Sequence, residues 1–115
     1  MSPLLVAALD EARTLAADRG WSAPSAATIA EAQRLLDLMA PGWRAPMVRV
    51  ETHGAISLEW EAGESGWLSL SVEGIGKLEH SAVIEGDEYA QVEDFGKDLP
   101  DWASALLHRL LSLGH

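Results

Sequence analysis

Between Val48 and Ile84 one set of alternate positions carries Val48 and Val50, then Ile56, Leu58 and Trp60, then Leu68, Leu70 and Val72, then Leu78, His80, Ala82 and Ile84. All are apolar except His80. The positions between them carry Arg49, Glu51, Ser57, Glu59, Glu61, Ser69, Ser71, Glu73, Glu79 and Ser81, which are polar and mostly acidic. A period of two with one greasy side is the pattern of an antiparallel sheet that packs one face on a core and leaves the other to water or a partner. The stretch predicts a four-stranded meander, and it obliges the rest of the chain to cover the apolar face.

Residues opposite each other in an antiparallel pair point to the same face, so the turns are constrained. A two-residue turn at His53-Gly54 would set Val50 against Ser57, apolar against polar. A three-residue loop, Thr52-His53-Gly54 with Gly54 left-handed, sets Val50 against Ile56 and Val48 against Leu58. By the same rule Gly74-Ile75-Gly76 sets Val72 against Leu78, Leu70 against His80 and Glu73 against Lys77 as an opposite-charge pair. Ala62 to Gly66 joins Trp60 to Leu68. Glu85-Gly86-Asp87-Glu88 signals one more turn, with Tyr89 to Phe95 a candidate fifth strand.

Helical spacing appears on both sides of the meander. Ser2 with Pro3 opens a helix on which Leu5, Ala8, Leu9, Ala12, Leu15 and Ala16 recur until Gly20. After a loop from Gly20 to Pro24, Ser25 or Thr28 caps a second helix with the stripe Ile29, Ala32, Leu35, Leu36 and Met39; Thr28 with Glu31 has capping-box spacing. Pro41-Gly42 ends it. Asp98, with Asp101 three residues on, caps a terminal helix whose apolar side is Trp102, Leu106, Leu107, Leu110, Leu111 and Leu113. The expected fold is α+β over residues 1–115: an antiparallel meander of four to five strands, with two N-terminal helices and one C-terminal helix covering one face.

The net charge of −10 is unevenly spread. Residues 1–50 hold five acids and five arginines, whereas residues 51–101 hold thirteen acids against Lys77 and Lys97, a local net of −11. Such a surface repels nucleic acid and anionic membrane and attracts a basic protein. The absence of cysteine excludes disulfides, thiolate metal sites and cysteine nucleophiles, and suits a reducing cytoplasm, the expected compartment. Asp10, Glu11, Arg13, Asp18 and Arg19 interrupt the first apolar run, so neither a signal peptide nor a membrane span is expected there.

Gly20-Trp21, Pro24-Ser25 and Thr28-Ile29, followed by His53-Gly54-Ala55-Ile56-Ser57-Leu58-Glu59-Trp60, Leu70-Ser71-Val72 and Leu99-Pro100, resemble a group of small bacterial proteins of no established activity. In that group a GWDG…P loop precedes a helix and a DGxIxLEW hairpin begins the sheet. Here Ser22-Ala23 stands in place of the loop Asp-Gly, and His53 in place of the hairpin Asp. The resemblance implies a fold and a bacterial or mobile-element origin, and no chemistry.

The registers place Ser57 opposite Ser71 and Ser69 opposite Ser81 on the outer face, a floor of small side chains. Around it stand Glu51, Glu59, Glu61, Glu73 and Glu79, with Arg49 diagonal to Glu59 and Trp67 opposite Glu61. A flat floor with an acidic rim and an exposed indole suits an arginine-bearing partner, since guanidinium pairs with carboxylate and stacks on aromatic rings. Of the five tryptophans, Trp60 and Trp102 fall on core positions and Trp21 and Trp43 flank the second helix, which leaves Trp67 as the interface anchor.

Enzymatic readings are thinner. Glu59 and Glu61 lie roughly 7 Å apart on one strand, but an open wet face offers nothing to push two carboxyl pKa values apart for acid–base work. His80, written into an apolar strand face, lines a pocket in one reading and is a hydrogen-bonded core residue in the other. His53, His108 and His115 have no metal-ligand spacing, and Asp87, Glu88, Glu93 and Asp94 lack the calcium-loop pattern. Gly74-Ile75-Gly76 joins two strands and so has no phosphate-binding context. No cofactor is expected. The sequence therefore favours a non-enzymatic acidic module that binds a basic protein surface, for example a phage or plasmid anti-defence inhibitor that mimics nucleic acid to occupy a nucleic-acid-binding protein. The alternatives are a small-ligand or enzymatic domain around His80 and a homodimer through the outer face.

Overall fold

The computed structural model describes residues 1–19 and 22–113, and in the first helix the side chains as far as Thr14. The elements run α1 (Pro3–Arg19), α2 (Ala26–Asp37), β1 (Met47–Val50), β2 (Ile56–Glu61), a short 3-10 turn (Gly63–Ser65), β3 (Gly66–Val72), β4 (Lys77–Ile84), β5 (Asp87–Asp94) and α3 (Asp101–Leu113). The five strands form one sheet in sequence order, each antiparallel to the next. This is the α+β meander expected, with its fifth strand present and starting at Asp87, two residues before Tyr89. No helix among the described residues is long and apolar enough to cross a membrane.

The registers follow from which side chains must be dry. Val50 lies opposite Ile56 and Val48 opposite Leu58; Trp60 faces Leu68; Leu70 faces His80 and Val72 faces Leu78. The first loop is the three-residue one: Glu51 N donates to Ala55 O at 2.8 Å, and Gly54 sits at φ 93°. At the last hairpin Glu85 and Gly86 have φ 51° and 86°, and Ile84 pairs with Asp87. Two consecutive positive φ values make a tight two-residue turn whose twist matches the strands.

All three helices pack on the face that carries Ile56, Leu58, Trp60, Leu68, Leu70, Val72, Leu78 and Ile84, each 2% exposed or less. Leu5 and Ala12 of α1, Ala32 and Leu35 of α2, and Ala103, Leu106, Leu107 and Leu110 of α3 complete the core. At roughly 1.5–3 kcal/mol for each large apolar side chain removed from water, this two-layer arrangement supplies the folding drive. Leu15, Ala16, Gly20, Trp21 and His115 lie outside the described residues or side chains.

Three local expectations are corrected. Ser25 caps α2, its Oγ accepting from Thr28 N at 3.1 Å, so Thr28 sits inside the first turn and the Thr28–Glu31 capping box does not form. Glu31 is 7% exposed and its two carboxylate oxygens each accept a 2.7 Å bond, from Gly74 N and Gly76 N in the β3–β4 turn. A helix is thereby tied to a hairpin by a buried charge-assisted clamp.

The second correction concerns α3, which begins at Asp101, with Ser104 N donating to Pro100 O at 2.9 Å. Leu99 precedes a proline, which disfavours helical backbone and delays the start expected at Asp98. Ala103 then leads the buried stripe, and Trp102, expected in the core, is 50% exposed on its margin with its ring centroid 6.4 Å from that of Tyr89.

Third, Lys77 pairs with Asp94 of β5 and not with Glu73. The β3–β4 ladder ends at Val72 and Leu78, short of Glu73, whereas Lys77 lies directly opposite Asp94 in the β4–β5 ladder.

Candidate functional site

Because the helices occupy one side of the sheet, the other is uncovered. Its residues lie in rows across the strands: Arg49, Ser57, Ser71, Glu79 and Val92 in one, then Met47, Glu59, Ser69, Ser81 and Ala90, then Glu61, Trp67, Val83 and Glu88. Ser57, Ser69, Ser71 and Ser81 occupy the middle. Glu51, Glu59, Glu61, Glu73 and Glu79 stand around them on the same face, so all ten outer-face residues expected to share a surface do share it.

The serines are paired across the strands, and Ser57 and Ser71 are in hydrogen-bond contact. Ser57 is 4% exposed, roofed by Glu51, whose Oε1 accepts from Ser57 Oγ at 3.2 Å, with Ser71 Oγ 3.3 Å from Ser57 Oγ, where it can donate in turn. Of the rim acids, Glu59 is paired with Arg49 at 3.5 Å and Glu73 with His53 at 3.2 Å. Lys77 hydrogen-bonds the Asp94 carboxylate and, with its charge, holds it below the ordinary value. Glu61 and Glu79 have no cation partner among the described residues. Seven acids and two bases, Arg49 and Lys77, line the face, counting Glu88 and Asp94 of β5.

Trp67 projects from the start of β3, at one end of the sheet between Glu61 and Val83, and is 42% exposed. Beside it Glu59, Glu61 and Ser69 line a shallow depression of 250 Å³. A second, of 130 Å³, lies across the floor among Ser71, Glu73, Lys77, Glu79 and Val92. Both are open recesses of a size to take partner side chains.

Val83, Ala90, Val92 and Met47 also belong to this face and were not assigned to it from sequence. Val92 and Met47 are 57% and 59% exposed. Period-two counting through β5 was the available signal: Glu88, Ala90, Val92 and Asp94 alternate with Tyr89, Gln91 and Glu93.

His80 is elsewhere. It is 1% exposed on the core face, with Nδ1 3.3 Å from Glu93 Oε2, positioned to donate to it; Glu93 Oε1 accepts from Trp102 N at 3.2 Å. His80 thus joins β4 to β5 and, through Glu93, to the start of α3. It lines neither outer-face depression, nor the 470 Å³ groove between α1 and β1, nor the 140 Å³ cleft between α1 and residues 22–24. His108 packs edge-on against Trp43 at 4.9 Å. Among the described residues no group of three or more His, Asp or Glu side chains is placed to hold a metal ion.

At the far end of β5, Arg109 donates to the Tyr89 hydroxyl at 2.6 Å and lies 3.3 Å from both Glu85 and Asp87. Burial works against its charge, but the tyrosine and the two carboxylates outweigh that and raise its pKa. No protein-family model matches the chain, and no curated protein or solved structure is similar enough to it to count as a match.

Proposed function

We propose that the chain is a non-enzymatic interaction module whose acidic outer sheet face binds a basic protein surface. One observation carries the reading: the helices all pack on the opposite face, which leaves uncovered a surface with a serine floor, an acidic rim and Trp67 42% exposed at one end of it. Small hydroxyl side chains let a partner approach closely. The carboxylates draw in arginine and lysine, and the indole offers stacking for guanidinium. A basic surface that normally holds nucleic acid is the natural complement, since a run of carboxylates substitutes for phosphates in sign. That is the mode of an anti-defence inhibitor, and the bacterial or mobile-element origin implied by the sequence resemblance belongs to the same proposal.

The test uses the chain as bait in a bacterial lysate, with retained proteins identified and their affinity measured. Trp67→Ala and the pair Glu59→Gln/Glu61→Gln are each expected to weaken binding at least tenfold, that is by about 1.4 kcal/mol or more. His80→Leu is expected to leave it unchanged. Binding that survives removal of both glutamate charges would overturn the reading. A particle of doubled mass, dissociated by Trp67→Ala, would replace the heterologous partner with a second copy.

A further inference from the structure

The two ends of the sheet are unlike. β1 offers four residues, with Pro46 before it and, beyond its far end, the Thr52 carbonyl already accepting from Ser22 N at 3.0 Å. β5 is eight residues long and pairs with β4 alone. The bond from Phe95 N to Gly76 O at 2.9 Å sets the parity of the β4–β5 ladder: odd-numbered residues of β5 bond to β4, so the N–H and C=O groups of Glu88, Ala90, Val92 and Asp94 point to the open edge. These same four residues carry their side chains on the outer face, in the order acid, apolar, apolar, acid.

We infer that the β5 edge accepts an extended segment of a partner protein as a sixth strand, one with a cation, two apolar residues and a second cation at alternate positions. The charge decides the occupant. Residues 85–101 hold seven acids against Lys97. If β5 of a second copy paired antiparallel about Gln91, Glu88 would stand opposite Asp94 of that copy, and like charges directly opposite destabilise a ladder. The acids thus guard the edge against self-pairing and admit a basic strand, whose backbone supplies the missing hydrogen bonds while its central apolar side chains lie beside Ala90 and Val92. On the core side of the same edge, Trp102 is 50% exposed beside the partly buried Tyr89 and offers an aromatic face for an incoming cation. The inference rests on the proposed basic partner for its charge, and on the edge alone for its site.

The probe is the heptapeptide Arg-Thr-Val-Thr-Val-Thr-Arg, titrated to about 1 mM against the nitrogen-15-labelled chain, with Glu-Thr-Val-Thr-Val-Thr-Glu as control. The arginine peptide should shift the amides of Glu88, Ala90, Val92 and Asp94 and slow their hydrogen exchange at least tenfold. The glutamate peptide should do neither. Ala90→Pro removes an N–H that no strand uses, so the remaining spectrum should persist while peptide binding is lost. Glu88→Lys, which leaves the backbone intact, should weaken the arginine peptide about threefold. No shift at millimolar peptide, shifts confined to β1, β2 and β3, equal binding of both peptides, or undiminished binding by Ala90→Pro and Glu88→Lys would each overturn the edge site. Should Ala90→Pro retain the lysate partner while Glu59→Gln/Glu61→Gln loses it, the edge inference fails and the face reading stands. The converse result relocates the site to the edge.

Discussion

Glu31 makes the sharpest residue-level demand on the fold. Its carboxylate is the acceptor for two turn amides that have no other partner, and a hydrogen bond to a charged group contributes about 1.5–3 kcal/mol. Glu31→Ala should lower the unfolding free energy by about 3 kcal/mol in urea titration, and Glu31→Gln, which keeps one acceptor oxygen, by about half that. An unchanged midpoint for Glu31→Ala would show that water replaces the clamp. His80 makes a smaller demand. Replacing it with leucine removes one bond to a carboxylate that Trp102 N still holds, so a loss of about 1–2 kcal/mol is expected in the same titration, with partner binding untouched. Neither role is legible from spacing. Thr28 and Glu31 have the separation of a capping box, and only the packing of α2 over the β3–β4 turn, 43 residues away, redirects the carboxylate.

At the scale of elements, the outer-face assignments were legible because a one-residue slip would turn every side chain of a strand to the wrong side. That penalty selected the loop at Thr52-His53-Gly54 and placed Ser57 against Ser71. What escaped was decided by tertiary packing: α3 buries Ala103, Leu106, Leu107 and Leu110 and leaves Trp102 on the margin, and β5 sets Asp94 directly opposite Lys77. Gly66 carries the tightest junction. Its φ is 136°, and a Cβ there would lie 1.8 Å from Val83 O, so Gly66→Ala cannot be absorbed by a side-chain shift. It should cost at least about 3 kcal/mol, read as a lowered urea midpoint or loss of folded protein. The Lys77–Asp94 pair predicts a pH signature. Asp94 is held below its ordinary value in the folded chain, so its stabilisation is fully present above an unfolded pKa of about 3.9 and is lost as pH falls through the lower folded value. The stability difference between the native chain and Asp94→Asn should therefore be constant from neutral pH down to about pH 5 and close in more acid solution. A difference that persists in strong acid would mean the carboxylate charge is not what Asp94 contributes.

For the molecule as a whole, the division of labour is between two faces of one sheet. The apolar face recruits three helices and accounts for folding; the acidic face is left open and, with seven acids against Arg49 and Lys77, carries half of the net charge of −10. On the proposed reading this charge attracts a basic partner, so association should be fast at low ionic strength and fall as salt shortens the reach of the field. The most direct measurement is the affinity of the native chain and of the Glu59→Gln/Glu61→Gln/Trp67→Ala variant for the retained basic protein, at about 50 and 500 mM salt, with duplex DNA as competitor. The account predicts binding by the native chain that weakens steeply with salt, is displaced by DNA and is lost in the variant while its urea midpoint holds. Equal binding by the two chains, indifferent to salt and to DNA, would contradict it.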